Sequence, residues 1–181
     1  MSSYPEQAAA FAAFRRSATA ADEALVNNSS VRSFFAGRPT AGAQLALSRV
    51  VYQDTSVALG IFPTVRNSNP AESGVCLMVA TAEGAIVAAP APISEAKAQH
   101  LVIRYKSRAG EHLYGVVPDG VHSLSVTVEN AQATEVPVNS DGGFAFTSEG
   151  PIIGWSYLDA NGVIHHHATE SPALWTTMGN S

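Results

Sequence analysis

Apolar and polar residues alternate along much of the chain beyond residue 44, most clearly at Leu124, Val126 and Val128 against Ser123, Ser125 and Thr127. A period of two puts the first three side chains on one face of a strand and the others on the opposite, wet face. Similar short runs, rich in β-branched residues and bounded by Gly, Pro, Asn or Asp, predict strands at 45–53, 55–62, 74–80 and 85–89. Further strands are predicted through Leu101, Ile103 and Tyr105 and at 111–117, 134–138, 143–147, 152–158 and 163–167. The segments between them carry turn chemistry. Asn67 to Asn69 and Pro70 mark a loop, Ala82-Glu83-Gly84 a tight turn, Val117-Pro118-Asp119-Gly120 a β-turn and Asp159-Ala160-Asn161-Gly162 a hairpin. The strands are interrupted at 90–99, where two prolines precede Ser94, a residue placed to cap a helical turn, and this stretch is the expected internal boundary.

The N-terminal segment has another period. Phe11, Phe14, Ala18, Ala21 and Leu25 are spaced by three and four, which predicts one helix or a broken pair over 5–26. A single amphipathic helix needs something to bury against. Phe11, Phe14, Ala18 and Leu25 are therefore the expected docking residues, toward the β core or a partner. Residues 27–40, with Gly37 and Pro39, are expected to connect, packed down by Phe34 and Phe35. The fold class is mainly β with an N-terminal helical segment: an antiparallel β-sandwich-like C-terminal unit at 100–168 packed with a smaller N-terminal β unit at 41–99. A helical lead-in and connector occupy 1–40 and a tail 169–181, with Leu174 and Trp175 as its anchors.

Composition narrows the function classes. Charged residues are 14% of the 181, against about 25% in an average globular protein, so small polar groups must solvate the surface. Residues 1–66 carry six Arg against four acids, the remainder four bases against eleven acids, and no Lys or Arg follows Arg108. Such a C-terminal half offers phosphate backbones nothing to bind, so no nucleic-acid partner is expected. No apolar run approaches the roughly 20 residues of a membrane-spanning helix. The chain reads as cytoplasmic if Met1 is the native start, and as exported or envelope-associated if a leader has been removed. Cys76 is the single cysteine, flanked by Val75, Leu77 and Met78, and is expected to be a buried, inert thiol.

Several phrases, Phe14-Arg15-Arg16 with Thr19-Ala20-Ala21-Asp22, Gly74-Val75-Cys76-Leu77, and Tyr114-Gly115-Val116-Val117-Pro118-Asp119-Gly120-Val121, resemble in content and order a set of uncharacterised bacterial proteins. The resemblance spans roughly 11–165 and brings no activity with it. It implies an envelope-associated or exported protein. Members of that set commonly carry a second Cys shortly after the first. This chain has Val87-Ala88-Ala89 there, which leaves Cys76 unpaired.

Candidate chemistry is sparse. A strand would point His165 and His167 to the same face, making them candidate metal ligands, but a site needs a third donor, with His100, His112 and His122 as the remaining imidazoles. Gly154-Trp155-Ser156-Tyr157-Leu158 lacks the second glycine and the strand-to-helix turn of a nucleophile elbow. Asp141-Gly142-Gly143 lacks the lysine and helix of a phosphate loop. Asp22-Glu23 falls on the helix, while Asp119, Asp141 and Asp159 sit in turns where Asp serves backbone geometry. Tyr114, Phe144, Phe146, Trp155 and Tyr157 alternate along strands as core residues do. The expectation is a non-catalytic protein-interaction or structural module without a cofactor, with a protein partner or self-association. The alternatives are a small hydrolase or metal-dependent enzyme built from His, Asp and Ser, and a subunit that self-assembles through exposed strand edges.

Overall fold

The computed structural model describes residues 4–36, 44–65, 73–99 and 101–168. Eleven strands among them form three antiparallel sheets. The first is a meander of β1 (Arg49–Gln53), β2 (Val57–Val65), β3 (Ser73–Thr81) and β4 (Ile86–Pro92). The second has the order β5 (Leu101–Ser107), β6 (Gly110–Val116) and β9 (Gly143–Ser148). The third has the order β11 (Ile164–Ala168), β10 (Ile152–Leu158), β7 (Ser123–Val128) and β8 (Thr134–Pro137). Short helices α1 (Pro5–Ala10), α2 (Ala20–Asn27) and α3 (Ser29–Ala36) precede the sheets, and α4 (Ile93–Gln99) links β4 to β5.

Three cores lie between these layers. One face of the first sheet meets one face of the second around Leu59, Ile61, Leu77, Ile103 and Val116, with Phe11 and Ala13 inserted between them. The opposite face of the second sheet packs on the third through Leu113, Phe144, Leu124, Val126, Ile152 and Trp155. Helices α2 and α3 cover the remaining face of the first sheet with Leu25 and Val31 over Phe62, Cys76 and Met78. Strands that separate two cores lose the period-two signal. In β3, Val75, Leu77 and Val79 go to one core while Cys76 and Met78 go to the other. β6 is buried from Glu111 to Val116. β7, with one wet face, keeps the alternation: Leu124 and Val126 are fully buried and Val128 nearly so.

The N-terminal segment departs from a single helical stripe. After α1 the chain makes a 3₁₀ turn (Ala12–Arg15), and α2 begins only after the extended Arg16 and the Thr19 cap. Phe11 and Leu25 accordingly enter different cores, Phe14 is half-buried and Ala18 is exposed. The expected connector contains α3, capped by Asn28, whose side-chain oxygen accepts the N–H groups of Ser30 and Val31. Its Phe35 meets Phe62 edge-on at 5.2 Å. Leu45–Leu47 is a 3₁₀ turn rather than strand, with Ser48 Oγ donating back to the Leu45 carbonyl. β4 runs through Pro90 and Pro92, which an edge strand tolerates because its outer side needs no N–H donors. The expectations placed on Gly37, Pro39, Asn67 to Pro70, His100, Leu174 and Trp175 lie outside the described residues.

Candidate functional site

The Phe-Arg-Arg and Thr-Ala-Ala-Asp phrases form one polar clamp. Arg16 donates to both carboxylate oxygens of Asp22 (2.6 and 3.1 Å), to Asp141 (2.9 Å) and to the Val50 carbonyl (2.8 Å). Asp22 also accepts the N–H groups of Val50 (2.6 Å) and Thr19 (2.7 Å). The reciprocal Thr19–Asp22 bonds are a capping box, here closed by Asp, that starts α2. Burial by itself would raise the Asp22 carboxyl, but the donors from Arg16, Val50 and Thr19 outweigh it and hold it well below the usual carboxylate range. Arg15 pairs with Asp119 at 2.6 Å, and Asp119 also accepts the Ala12 N–H. Thus the N-terminal phrase and the Pro-Asp-Gly turn meet in space, and together they tie the helical segment to the second and third sheets. These acids are occupied by structure.

A second polar cluster closes the end of the core between the first two sheets. Register in the β5–β6–β9 ladder sets Tyr105 opposite His112 and His112 opposite Thr147. His112, 8% exposed, has Ser107 Oγ at 2.7 Å from Nε2, and Thr147 Oγ1 and Tyr114 Oη at 3.0 and 3.1 Å from Nδ1. Its ring stacks on Tyr105, with centroids 4.4 Å apart. Burial pushes the imidazole below its ordinary value, with the charge of Glu83 opposing. Nothing at sequence level singled out this set, since its members are brought together by strand register. A hydroxyl bound to an imidazole is one part of a nucleophilic site. The orienting position at Nδ1 holds hydroxyls rather than a carboxylate, and Ser107 sits exposed at a hairpin end, accepting the Ala109 N–H.

The His165-His166-His167 run is β11, an edge strand paired in register with β10. His165 and His167 do share a face, but it is the inward one. His165 stacks on Tyr157 at 4.8 Å and binds Asp159 at 3.0 Å through Nε2. His167 stacks on Trp155 at 5.4 Å, and burial, reinforced by the neighbouring imidazoles, lowers its affinity for a proton. The His165 bond, together with the Val163 and Asn161 N–H groups, draws Asp159 below its usual value. Among the described residues no three His, Cys, Asp or Glu side chains converge as a metal would require. Ser156 lies mid-strand opposite Ser125 and His166, away from any turn.

Comparison with protein-family models, curated proteins and solved structures finds no match. The site must therefore be judged on geometry alone. Phe144, Trp155, Tyr157 and Tyr114 are buried, as the strand pattern anticipated, and Cys76 is fully buried, its thiol pushed up to about 12 by desolvation. No described helix is long and apolar enough to cross a membrane.

One surface is unusual. Among the described residues the large apolar side chains left exposed are Ile153, Leu158, Val163 and Ile164, between 45% and 59% accessible, and all four lie on the β10–β11 hairpin. Leu158 and Ile164 stand directly opposite one another in the ladder. They border a shallow trough over the outer face of the third sheet, whose floor is Ser123, Ser125 and Ser156 and whose wall includes Glu135. The rest of that face is hydroxyl-rich.

Proposed function

We propose that the protein is a non-catalytic interaction module whose contact surface is the β10–β11 hairpin. The observation that carries this reading is the confinement, among the described residues, of the exposed large apolar side chains to that one hairpin. Scattered exposed leucines are ordinary, but Leu158 and Ile164 stand side by side at the edge of a hydroxyl-rich trough, and an apolar patch with a polar border is the mark of a binding surface. The polar clusters elsewhere serve the fold: Asp22, Asp119 and Asp141 are bound by Arg16 and Arg15, and His112 seals a core.

A hydrolytic reading has one observation in its favour, the 2.7 Å contact of Ser107 with His112. It lacks a carboxylate to orient the imidazole, the component that holds the correct tautomer in serine hydrolases.

Two measurements test the proposal. An apolar dye such as anilinonaphthalene sulfonate should bind the wild type and lose that binding in the Leu158→Lys, Ile164→Lys double variant, with the melting temperature preserved. Equal dye binding by both proteins removes the surface on which the reading rests. Turnover of ester or phosphoester substrates that disappears in the Ser107→Ala variant would instead make the protein an enzyme.

A further inference from the structure

An antiparallel sheet protein must manage each strand edge, because an open row of N–H and C=O groups is a template for another strand. On β1, the Val50 N–H is held by Asp22, the Val50 carbonyl by Arg16, and the Val51 carbonyl by Asn139. β4 carries Pro90 and Pro92. β5 carries the exposed Lys106, and β9 runs beside β1, so close that a Cβ on Gly143 would meet the Val51 carbonyl. β8 is short, with an exposed Glu135 and a terminal Pro137. Among the described residues β11, five residues long, lacks the guarding residues of the other edges: it has no proline, no Lys, Arg or acid from Ile164 to Ala168, and no bulge in its register with β10.

The direction of its backbone groups follows from the hairpin. Asp159 N–H donates to the Val163 carbonyl, so this pair is a hydrogen-bonded one. Antiparallel ladders alternate hydrogen-bonded and non-hydrogen-bonded pairs. His165 and His167 therefore spend their backbone groups on β10, while the N–H and C=O groups of Ile164, His166 and Ala168 point away from the sheet.

We infer that β11 is the edge through which a second copy of this chain pairs, antiparallel and centred on His166, joining two third sheets into one continuous sheet. The inference rests on the interaction reading above and names its partner. The strand is self-complementary for such an arrangement. With His166 at the two-fold axis, Ile164 falls opposite Ala168 of the second copy, a large side chain beside a small one, and every outward backbone group finds a mate. No lysine, arginine or acid lies between Ile164 and Ala168 to oppose the approach. In that register the row from Leu158 through Ile164 runs on into Ala168 and Gly154 of the second copy, small residues that leave room for the Ile164 side chain. A closed two-fold pairing of this kind also ends the edge instead of propagating it.

Cysteine cross-linking of the full chain tests this. Antiparallel hydrogen-bonded partners lie about 5.5 Å apart at Cα, within disulfide reach. Oxidised His166→Cys should therefore run as a covalent dimer and a Ser125→Cys control on the same sheet should not, the native Cys76 being buried in both. His166→Pro removes an N–H that points away from β10, so it should melt with the wild type yet remain monomeric. His166→Lys, which keeps the backbone donor and adds an edge charge, should be monomeric as well and guards against a proline-induced folding defect. A wild type that stays monomeric at its highest soluble concentration overturns the second-copy pairing while leaving the dye-binding surface, and so the interaction reading, intact. A dimer that survives both His166 variants overturns the edge register.

Discussion

Two neighbouring arginines show how burial sets what an ion pair is worth. Asp22 is 2% exposed and bound by Arg16 and two backbone N–H groups, whereas Arg15 and Asp119 are each more than 40% exposed. Asp22→Ala leaves Arg16 with Asp141 and the Val50 carbonyl and takes the acceptor from the Val50 and Thr19 N–H groups, and should cost about 3 kcal/mol, read as a lower urea midpoint with an unchanged slope. Arg15→Ala should cost about 1 kcal/mol or less in the same assay. The clamp was only half legible in the sequence. Thr19 and Asp22 have the spacing of a cap, but that Asp22 would also bind Arg16 and reach the Val50 backbone depended on how the chain folds back. His112 was likewise hidden, since its partners Tyr105, Tyr114 and Thr147 are collected by strand register. Its depressed proton affinity, with that of His167, has a definite consequence for pH dependence. Below the unfolded value of about 6.5 the unfolded chain takes up protons that the folded chain resists, so stability falls as pH drops through that value and the fall ends below the folded values. The carboxylates of Asp22 and Glu111, lowered in the fold, act in a more acid window: their stabilisation is present above about pH 4 and disappears as pH falls through the folded values. Thermal melts between pH 8 and pH 3 should show a decline that begins near pH 6.5 and a further one below about pH 4, and His112→Gln should diminish the first.

At the scale of elements, strands with one wet face were readable and elements with two buried faces were not fully so. β10 occupies the predicted residues, and β7 keeps its inward Leu124, Val126 and Val128. The helical segment takes the broken form of the two the periodicity allowed, and the break matters because Phe11 and Leu25 share a stripe only while the helix is continuous. The extended backbone at Arg16, needed to reach Asp22, Asp141 and Val50, sends them to opposite faces of the first sheet. α3 was missed for a related reason: Ser29, Ser30 and Ser33 suggest a loop, and tertiary packing of Val31 and Phe35 overrides that preference. The seam between the first two sheets depends on a missing side chain. A Cβ on Gly143 would collide with the backbone of Val51, so Gly143→Ala should separate β1 from β9 and cost about 2–3 kcal/mol in a denaturant titration. Gly84→Ala, in an open turn with φ 84°, meets no neighbour and should lose only the smaller cost of a left-handed backbone.

For the whole molecule, the second sheet is the organising layer. It is covered by the first sheet on one side and the third on the other, and its β6 passes buried from Glu111 onward. Within it, Arg104 and Glu111 form a buried pair, and Glu111 also accepts the Ile152 N–H of the third sheet. The first sheet lies within the N-terminal stretch 41–99 and the second and third within 100–168, and the second sheet contributes to the cores on both of its faces. Local opening should therefore start at the periphery and reach β6 only with global unfolding. Amide hydrogen exchange followed across protein concentration tests the central claim, that the fold is built around the second sheet and binds through the exposed β10–β11 hairpin. The account predicts slow, concentration-independent exchange in β6 and fast exchange at Ile164, His166 and Ala168 that slows as concentration rises. Exchange at those three amides that is as slow as in β6 at every concentration would contradict it.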